Sequence, residues 1–273
     1  MANIQFLNEN CFKTIKRMNT AKYKVDLILT SPPYNTGRCS NSERSRENNE
    51  GRYDIHIDNL SNQEYRDWCV ELFNKFNTIL NENGIILWNV SYGTDSTVNT
   101  AGIGLMWNAL SDIIDKTNFT IADRIVWKKK TALPNNVSPN KLTRITEDIF
   151  VFCRKNEYKT FSCNKKVSSI GKNGQTFYKN TYNFIEAKNN DGSCKLNKAT
   201  YSSDLCIQLL DMYANKKTIV YDPFMGSGTT GIACEITNNT CFGSEISLAQ
   251  VDFSNDRLKK IRKVNKGENL CTQ

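Results

Sequence analysis

The sequence predicts an α/β protein built on a doubly wound, mostly parallel sheet. Three observations lead there. Val25–Leu29 and Ile85–Val90 are continuous apolar runs, the pattern of strands covered on both faces. Stretches with apolar residues at helical spacing separate such runs, so strands and helices alternate. Near the C-terminus, Thr218–Tyr221 runs into a glycine-rich turn that opens a further helix.

Taken in order, Ile4–Leu7 reads as a short strand and Cys11–Asn19 as a helix, followed by the strand Val25–Leu29. Residues 36–58 are polar, without apolar periodicity, and are expected to form a mobile loop that covers substrate or contacts DNA. Ser61 starts a helix with Glu64 three residues on, a capping-box pair. Tyr65, Trp68, Leu72, Phe73, Phe76 and Leu80 continue it at helical spacing, and Gly84 introduces the next strand. A helix over 104–116 and strands over 121–127 and 145–153 come next, and residues 156–197 read as polar and irregular. A helix over 202–214, the strand 218–221, a helix over 231–236 and a strand over 240–243 complete the pattern.

Composition narrows the function classes. With 39% hydrophobic and 23% charged residues the chain can build an ordinary core. It has no apolar run near the roughly 18 residues of a membrane span. Met1–Asn10 has no basic region followed by an apolar stretch, so a soluble, cytoplasmic protein is expected. The ten cysteines include no C-x-x-C pair and His56 is the single histidine. Reduced cysteines filling apolar space, with no metal site, are the expectation, and a histidine general base is disfavoured. The net charge of +8 is unevenly placed: residues 121–172 hold twelve Lys or Arg against four Asp or Glu. Trp127, Phe150, Phe152, Tyr158 and Phe161 interleave with them, a combination suited to a nucleic-acid-facing surface.

Two motifs carry the chemistry. Val25–Leu29 leads through Thr30 into Ser31-Pro32-Pro33-Tyr34. Two prolines fix φ and remove two donors, leaving carbonyl acceptors beside one small hydroxyl and one aromatic face. That set suits a flat ring bearing an amino group. The second motif is Asp222-Pro223-Phe224-Met225-Gly226-Ser227-Gly228-Thr229-Thr230. Its glycines permit a sharp turn, and free amides at the helix start offer donors. With Gly231 it also fits the G-x-G-x-x-G of nicotinamide-dinucleotide folds, with Glu245 as the acidic partner for ribose hydroxyls. A phosphate-binding P-loop does not fit, because no lysine precedes Thr229. Asp222 beside the turn suits a cationic ligand carrying an amino-acid moiety, such as S-adenosylmethionine, better than an anionic pyrophosphate. An NAD-dependent oxidoreductase and a non-catalytic nucleic-acid-binding subunit are the alternatives from other classes.

The two motifs together resemble the amino-methylating DNA methyltransferases, which pair D/N/S-P-P-Y/F with D-x-F-x-G-x-G in one domain. The catalytic motif comes first here, the order of the β group, and the resemblance runs from about Ile4 to Leu258. Supporting stretches are Arg52-Tyr53-Asp54 before Glu64-Tyr65-x-x-Trp68, Arg124–Lys129, Arg144–Phe150, and Lys198-Ala199-Thr200-Tyr201-Ser202, where the family commonly has proline in place of Ser202.

The resemblance implies a seven-stranded-type methyltransferase sheet in a single domain over 1–273. A catalytic half would span 1–155, a small inserted target-recognition region about 156–197, and a cofactor half 198–262. It implies that Ser31 and the Pro32 carbonyl accept hydrogen bonds from the target amino group, with Pro33 shaping the motif and Tyr34 stacking on a base extruded from duplex DNA. It implies a pocket for S-adenosylmethionine from Asp222, Phe224, Gly226, Ser227, Gly228 and Thr229, with Glu245 on the ribose and Asn10 and Thr200 near the rest. Asn10 departs from the acidic residue common there. Arg38, Arg52, Lys128, Lys129, Lys130, Arg144, Lys165 and Lys166 would contact double-stranded DNA. Ser-Pro-Pro-Tyr is commoner among N4-cytosine enzymes, which favours N4 of cytosine over N6 of adenine. A separately acting cognate restriction endonuclease is the further partner implied, and the chain would act as a monomer or homodimer.

Overall fold

The computed structural model describes residues 2–35, 60–91, 103–132, 134–136, 139, 142–192 and 200–265. The loop expected over 36–58, with Arg38 and Arg52, lies outside the described residues, as do Lys198 and Ala199.

Ten strands and six α-helices follow one another along the described chain: β1 (Ile4–Asn8), α1 (Cys11–Thr20), β2 (Val25–Thr30), α2 (Asn62–Ile79), β3 (Leu80–Val90), α3 (Ile103–Lys116), β4 (Phe119–Lys129), β5 (Thr146–Arg154), β6 (Val167–Ile170), β7 (Thr176–Tyr178), β8 (Phe184–Ala187), α4 (Ser203–Tyr213), β9 (Ile219–Asp222), α5 (Thr229–Thr237), β10 (Thr240–Glu245) and α6 (Leu248–Asn265). The main sheet has the order β1-β10-β9-β2-β3-β5-β4-β8. Every neighbouring pair is parallel except the two that involve β5, so β5 alone runs against the rest.

Double winding shows in the core. Ile28, Ile86, Trp88 and Phe152 point to one face and pack with α1, α2 and α3. Leu27, Leu29, Leu87 and Val151 point to the other and pack with α4, α5 and α6. Strands covered on both sides read as unbroken apolar runs, which is why the sequence shows them so clearly. β2 and β9 lie side by side, yet β2 is followed by α2 on one face and β9 by α5 on the other. That reversal makes a crevice beyond their carboxyl ends, the usual ligand position in open α/β sheets.

Local chemistry sets the helix starts. The Ser61 hydroxyl accepts from the Glu64 amide, and the Glu64 carboxylate accepts from the Ser61 amide at 2.8 Å, completing the capping box. Ser202 caps α4 by accepting from the Leu205 amide, which accounts for a serine where the family commonly has proline. Ser61→Ala is expected to lower stability by about 1 kcal/mol, read from the midpoint of urea denaturation.

One expectation needs correction. Residues 156–197 are not wholly irregular: β6 and β7 form a two-stranded hairpin, and β8 adds an eighth strand parallel to β4 at the sheet edge. These strands are three or four residues long and mostly exposed, so they lack the long apolar runs that mark buried strands. α6 carries no clear helical signal in the sequence, because polar residues dominate it and few of its apolar side chains reach the core. No helix among the described residues is long and apolar enough to cross a membrane.

Candidate active site

The carboxyl ends of β1, β2, β9 and β10 surround one cleft. From β2 come Ser31, Pro32, Pro33 and Tyr34, and from the turn after β9 come Phe224, Gly226, Ser227 and Thr229. Glu245 at the end of β10, Asn10 at the start of α1, and Thr200 line the same cleft. The two sequence motifs, some 190 residues apart, therefore open onto one space.

α2 ties the motifs together. The Tyr65 hydroxyl donates to the Pro33 carbonyl at 2.9 Å. The Tyr65 ring stacks on Trp68, with centroids 5.7 Å apart, and Trp68 meets Phe224 at 5.6 Å. One helix thus braces the proline turn and extends an aromatic wall to the glycine turn. The Pro33 carbonyl is consequently engaged, contrary to the expectation that both proline carbonyls stand free.

The glycine turn is held from beneath and behind. Asp222 is 1% exposed and is absent from the cleft lining. Its carboxylate accepts from Thr30 Oγ1 at 2.7 Å, Thr230 Oγ1 at 2.6 Å, Tyr201 Oη at 3.2 Å and the Phe224 amide at 3.0 Å. Burial pushes this carboxyl above its ordinary range, against the pull of those donors. Asp222 is thus a joint between β2, β9 and α5, and its carboxylate faces inward to these elements and not, as expected from the sequence, to a cationic ligand in the cleft. Gly228 also lies outside the lining. At φ 76° it caps α5, and a side-chain carbon there would sit 2.7 Å from Ser254 of α6. Close packing and left-handed backbone, not ligand contact, require glycine at this point.

α6 supplies the rear support. Arg257 donates to the Ser227 carbonyl at 2.7 Å and to Thr229 Oγ1 at 3.2 Å, and pairs with Asp191 at 2.7 Å. Asp191 in turn accepts from the amide and hydroxyl of Ser203 at the start of α4. Arg257→Ala should lower stability by about 2 kcal/mol, because it removes charge-assisted hydrogen bonds from a partly buried cluster; a denaturant midpoint matching the parent's would contradict this. Neither Arg257 nor Gln250, which lines the cleft, carried a sequence signal. The C-terminal segment matched no motif.

At the cleft floor, Ser31 Oγ and Tyr34 Oη are hydrogen-bonded to each other. Glu245 accepts from the Gly226 amide at 3.0 Å and the Ser247 amide at 2.9 Å, one on each oxygen. A carboxylate has about four lone-pair positions, and ribose hydroxyls are donors suited to it. Asn10 caps α1 through its side-chain oxygen, which accepts from the Phe12 amide at 2.9 Å. The donor set suits S-adenosylmethionine: a carboxylate for ribose, a glycine turn for close backbone approach, and aromatic faces that attract a sulfonium cation.

The expected DNA contacts divide. Lys130, Arg144, Lys165 and Lys166 are exposed. Lys128 pairs with Glu186 at 2.7 Å, and Lys129 pairs with Glu147 at 2.5 Å while lying over the Trp127 ring. Those two ammonium groups already have carboxylate partners that lie 58 and 18 residues away in sequence. Among the described residues no cluster of side chains could hold a metal ion, and seven cysteines are free thiols.

Next to Glu147, the Asp148 side chain is 1% exposed and 2.9 Å from Arg124 Nε, yet burial pushes its carboxyl up to about 6. A carboxyl raised in the folded state adds stability below its unfolded value of about 3.9 and loses it as pH climbs through the folded value. The parent should therefore lose stability relative to Asp148→Asn between about pH 4 and pH 6. Urea denaturation across that range checks it, and a constant difference would contradict it.

The family model described as DNA methylase, for N6 and N4 enzymes, matches residues 25–256. The chain belongs to the DNA methylase family. This methylase is 26% identical over 247 residues to the type II methyltransferase M.BglII of Bacillus subtilis, a match covering 84% of this chain and 62% of that protein. It therefore spans less than two thirds of that relative's length. It is 23% identical over 271 residues to the orphan methyltransferase M.BamHII of Bacillus amyloliquefaciens, covering 88% of this chain and 91% of the relative. Among solved structures, the cytosine-N4-specific PvuII DNA methyltransferase superposes with a TM-score of 0.69 at 18% identity, covering 97% of the methylase and 92% of that chain. M1.HpyAVI in complex with S-adenosylmethionine superposes with a TM-score of 0.62 at 21% identity, covering 93% and 98%. The fold is that of the DNA methyltransferases. S-adenosylmethionine is the methyl donor of this family.

Proposed function

We propose that the methylase transfers a methyl group from S-adenosylmethionine to the exocyclic amino group of a base extruded from double-stranded DNA, with N4 of cytosine as the target. The observation that carries this reading is the convergence of Ser31–Tyr34 and the 224–229 turn on one cleft.

Bound S-adenosylmethionine supplies an electrophilic methyl on a sulfonium. The protein's task is then to hold an amine in line and raise electron density on its nitrogen. In this reading Ser31 Oγ and the Pro32 carbonyl, both of residues that line the cleft, accept the amino hydrogens, and Tyr34 stacks on the flipped ring. The proton leaves after attack, so no strong base is needed, in keeping with a chain that has one histidine. Phe224 and Trp68 pack the cofactor side of the cleft and limit water there. Glu245 fixes the ribose end.

Ser31 is a neutral acceptor with room beside a pyrimidine, and the PvuII relative in fold is described as cytosine-N4-specific. Both favour cytosine over N6 of adenine. The exposed β6–β7 hairpin, with Lys165 and Lys166 before it and Phe177 and Tyr178 on it, supports a target-recognition role for 156–197. A separately acting restriction endonuclease and a cytoplasmic location fit the type II relatives. Methylation-sensitive sequencing of DNA from cells expressing the protein tests the reading. N4-methylcytosine at a fixed short sequence is expected. N6-methyladenine would move the target to adenine, and unmodified DNA would remove the proposal.

A further inference from the structure

A polar chain at the end of β3 plays no part in the transfer described above. Asn89 is 3% exposed. Its Nδ2 donates to Glu147 Oε2 and to Tyr34 Oη, each at 3.0 Å, and lies 3.4 Å from Ser31 Oγ. Glu147 Oε1 holds Lys129 Nζ at 2.5 Å. The parallel register pairs Thr30 with Trp88, which brings Asn89 level with Ser31.

One atom in this chain is left over. Asn89 Oδ1 is buried and has no hydrogen-bond partner among the described residues. Turning the amide over would move this oxygen towards the two hydroxyls, either of which can donate. Glu147 forbids the turn, because an ionised carboxylate only accepts and must face Nδ2. Lys129 Nζ, 2.5 Å from Glu147 Oε1, holds that carboxylate in place. A buried unpaired carbonyl is costly, and native proteins rarely keep one without a reason. What this one secures is a donor, not an acceptor, against Ser31 and Tyr34.

We infer that Asn89 is a positioning residue for Ser31 and Tyr34, locked by the Glu147–Lys129 ion pair, and that Lys129 serves this lock instead of a DNA phosphate. The inference rests on the transfer role proposed for Ser31 and Tyr34. A hydroxyl rotor held from behind is pre-organised for an incoming amine, whereas a misplacement of about 1 Å can cost about 100-fold in rate.

The test uses the full chain, S-adenosylmethionine labelled in the methyl group, and a random-sequence duplex. In Glu147→Gln the new amide can donate to Asn89 only if the Asn89 amide turns over, so the lock is released and the unpaired position passes from Oδ1 to Nδ2. Its melting temperature should hold, kcat should fall about 10- to 100-fold, and KM for both substrates should stay near the parent's. If Glu147→Gln fails to fold, Asn89→Ser carries the same kcat-against-KM comparison. Lys129→Met should lower kcat but leave the salt dependence of DNA binding unchanged, and Lys129→Arg, which keeps the ion pair, should restore most of the rate. Folded Glu147→Gln with the parent's kcat would overturn the inference. So would a Lys129→Met protein whose log–log salt slope drops by about 0.9, the signature of one lost phosphate contact. A parent chain that transfers no methyl group at all would instead remove the transfer reading, and this inference with it.

Discussion

Tyr34→Ala is expected to lower the rate of methyl transfer by about 100-fold or more, while S-adenosylmethionine binds as tightly as to the parent. Tyr34 stands between two spaces. One is the main cleft, and the other is a smaller apolar recess formed with Tyr65, Trp88, Val90, Leu105 and Met106. Removing the ring joins them and leaves the base without a stacking face. It also takes a hydrogen-bond partner from Ser31 and from Asn89. The cofactor side, built from Phe224, Gly226 and Glu245, keeps its contacts. Tyr34→Phe separates the contributions, since it retains the ring and deletes the hydroxyl, and a milder loss is expected. Single-turnover transfer measured alongside calorimetric binding of S-adenosylmethionine checks both variants. Parental transfer by Tyr34→Ala would show that the base docks elsewhere.

The largest expected loss of stability comes from Asp222→Ala. Four donors converge on the carboxylate, from Thr30, Thr230, Tyr201 and the Phe224 amide. Each buried donor left unpaired costs about 1–3 kcal/mol. Two effects reduce the sum. Thr230 and Tyr201 can still bond each other, as they already do at 2.7 Å, and loss of the desolvated charge is favourable in itself. A net loss of about 3 kcal/mol is expected, lowering the melting temperature by about 6–12 °C for a chain of this size. Asp222→Asn retains one acceptor but turns an amide towards Thr230 and Tyr201, so an intermediate loss is expected. A melting temperature within about 2 °C of the parent's for Asp222→Ala would mean that the joint matters little.

What the sequence revealed, and what it hid, follows from how far apart the interacting groups are. Val25–Leu29, the proline turn, the capping box at Ser61 and the glycine turn are legible because each is fixed by neighbours within a few residues. Alternation of apolar strands with amphipathic helices conveyed double winding for the same reason. Asp222 was legible as a carboxylate at a turn, but its inward direction depends on Thr30, 192 residues away. Lys128 and Lys129 read as part of a charge run, and only folding brings Glu186 and Glu147 to them. Asn89 lies near the end of an ordinary apolar strand, and its hydrogen-bond partners lie on the turn after β2 and on β5. α6 was hidden because a helix that supports a turn through Ser254 and Arg257 needs few apolar residues. β8 was hidden because four residues at a sheet edge carry too short an alternation to stand out.

The most direct test is made with the purified chain, duplex DNA and S-adenosylmethionine carrying a deuterated methyl group. After digestion of the DNA to deoxynucleosides, mass spectrometry identifies the acceptor atom. The account predicts deuterated N4-methyldeoxycytidine from the parent and a trace at most from Tyr34→Ala. DNA without any deuterated nucleoside, under conditions where the chain binds S-adenosylmethionine, would contradict it.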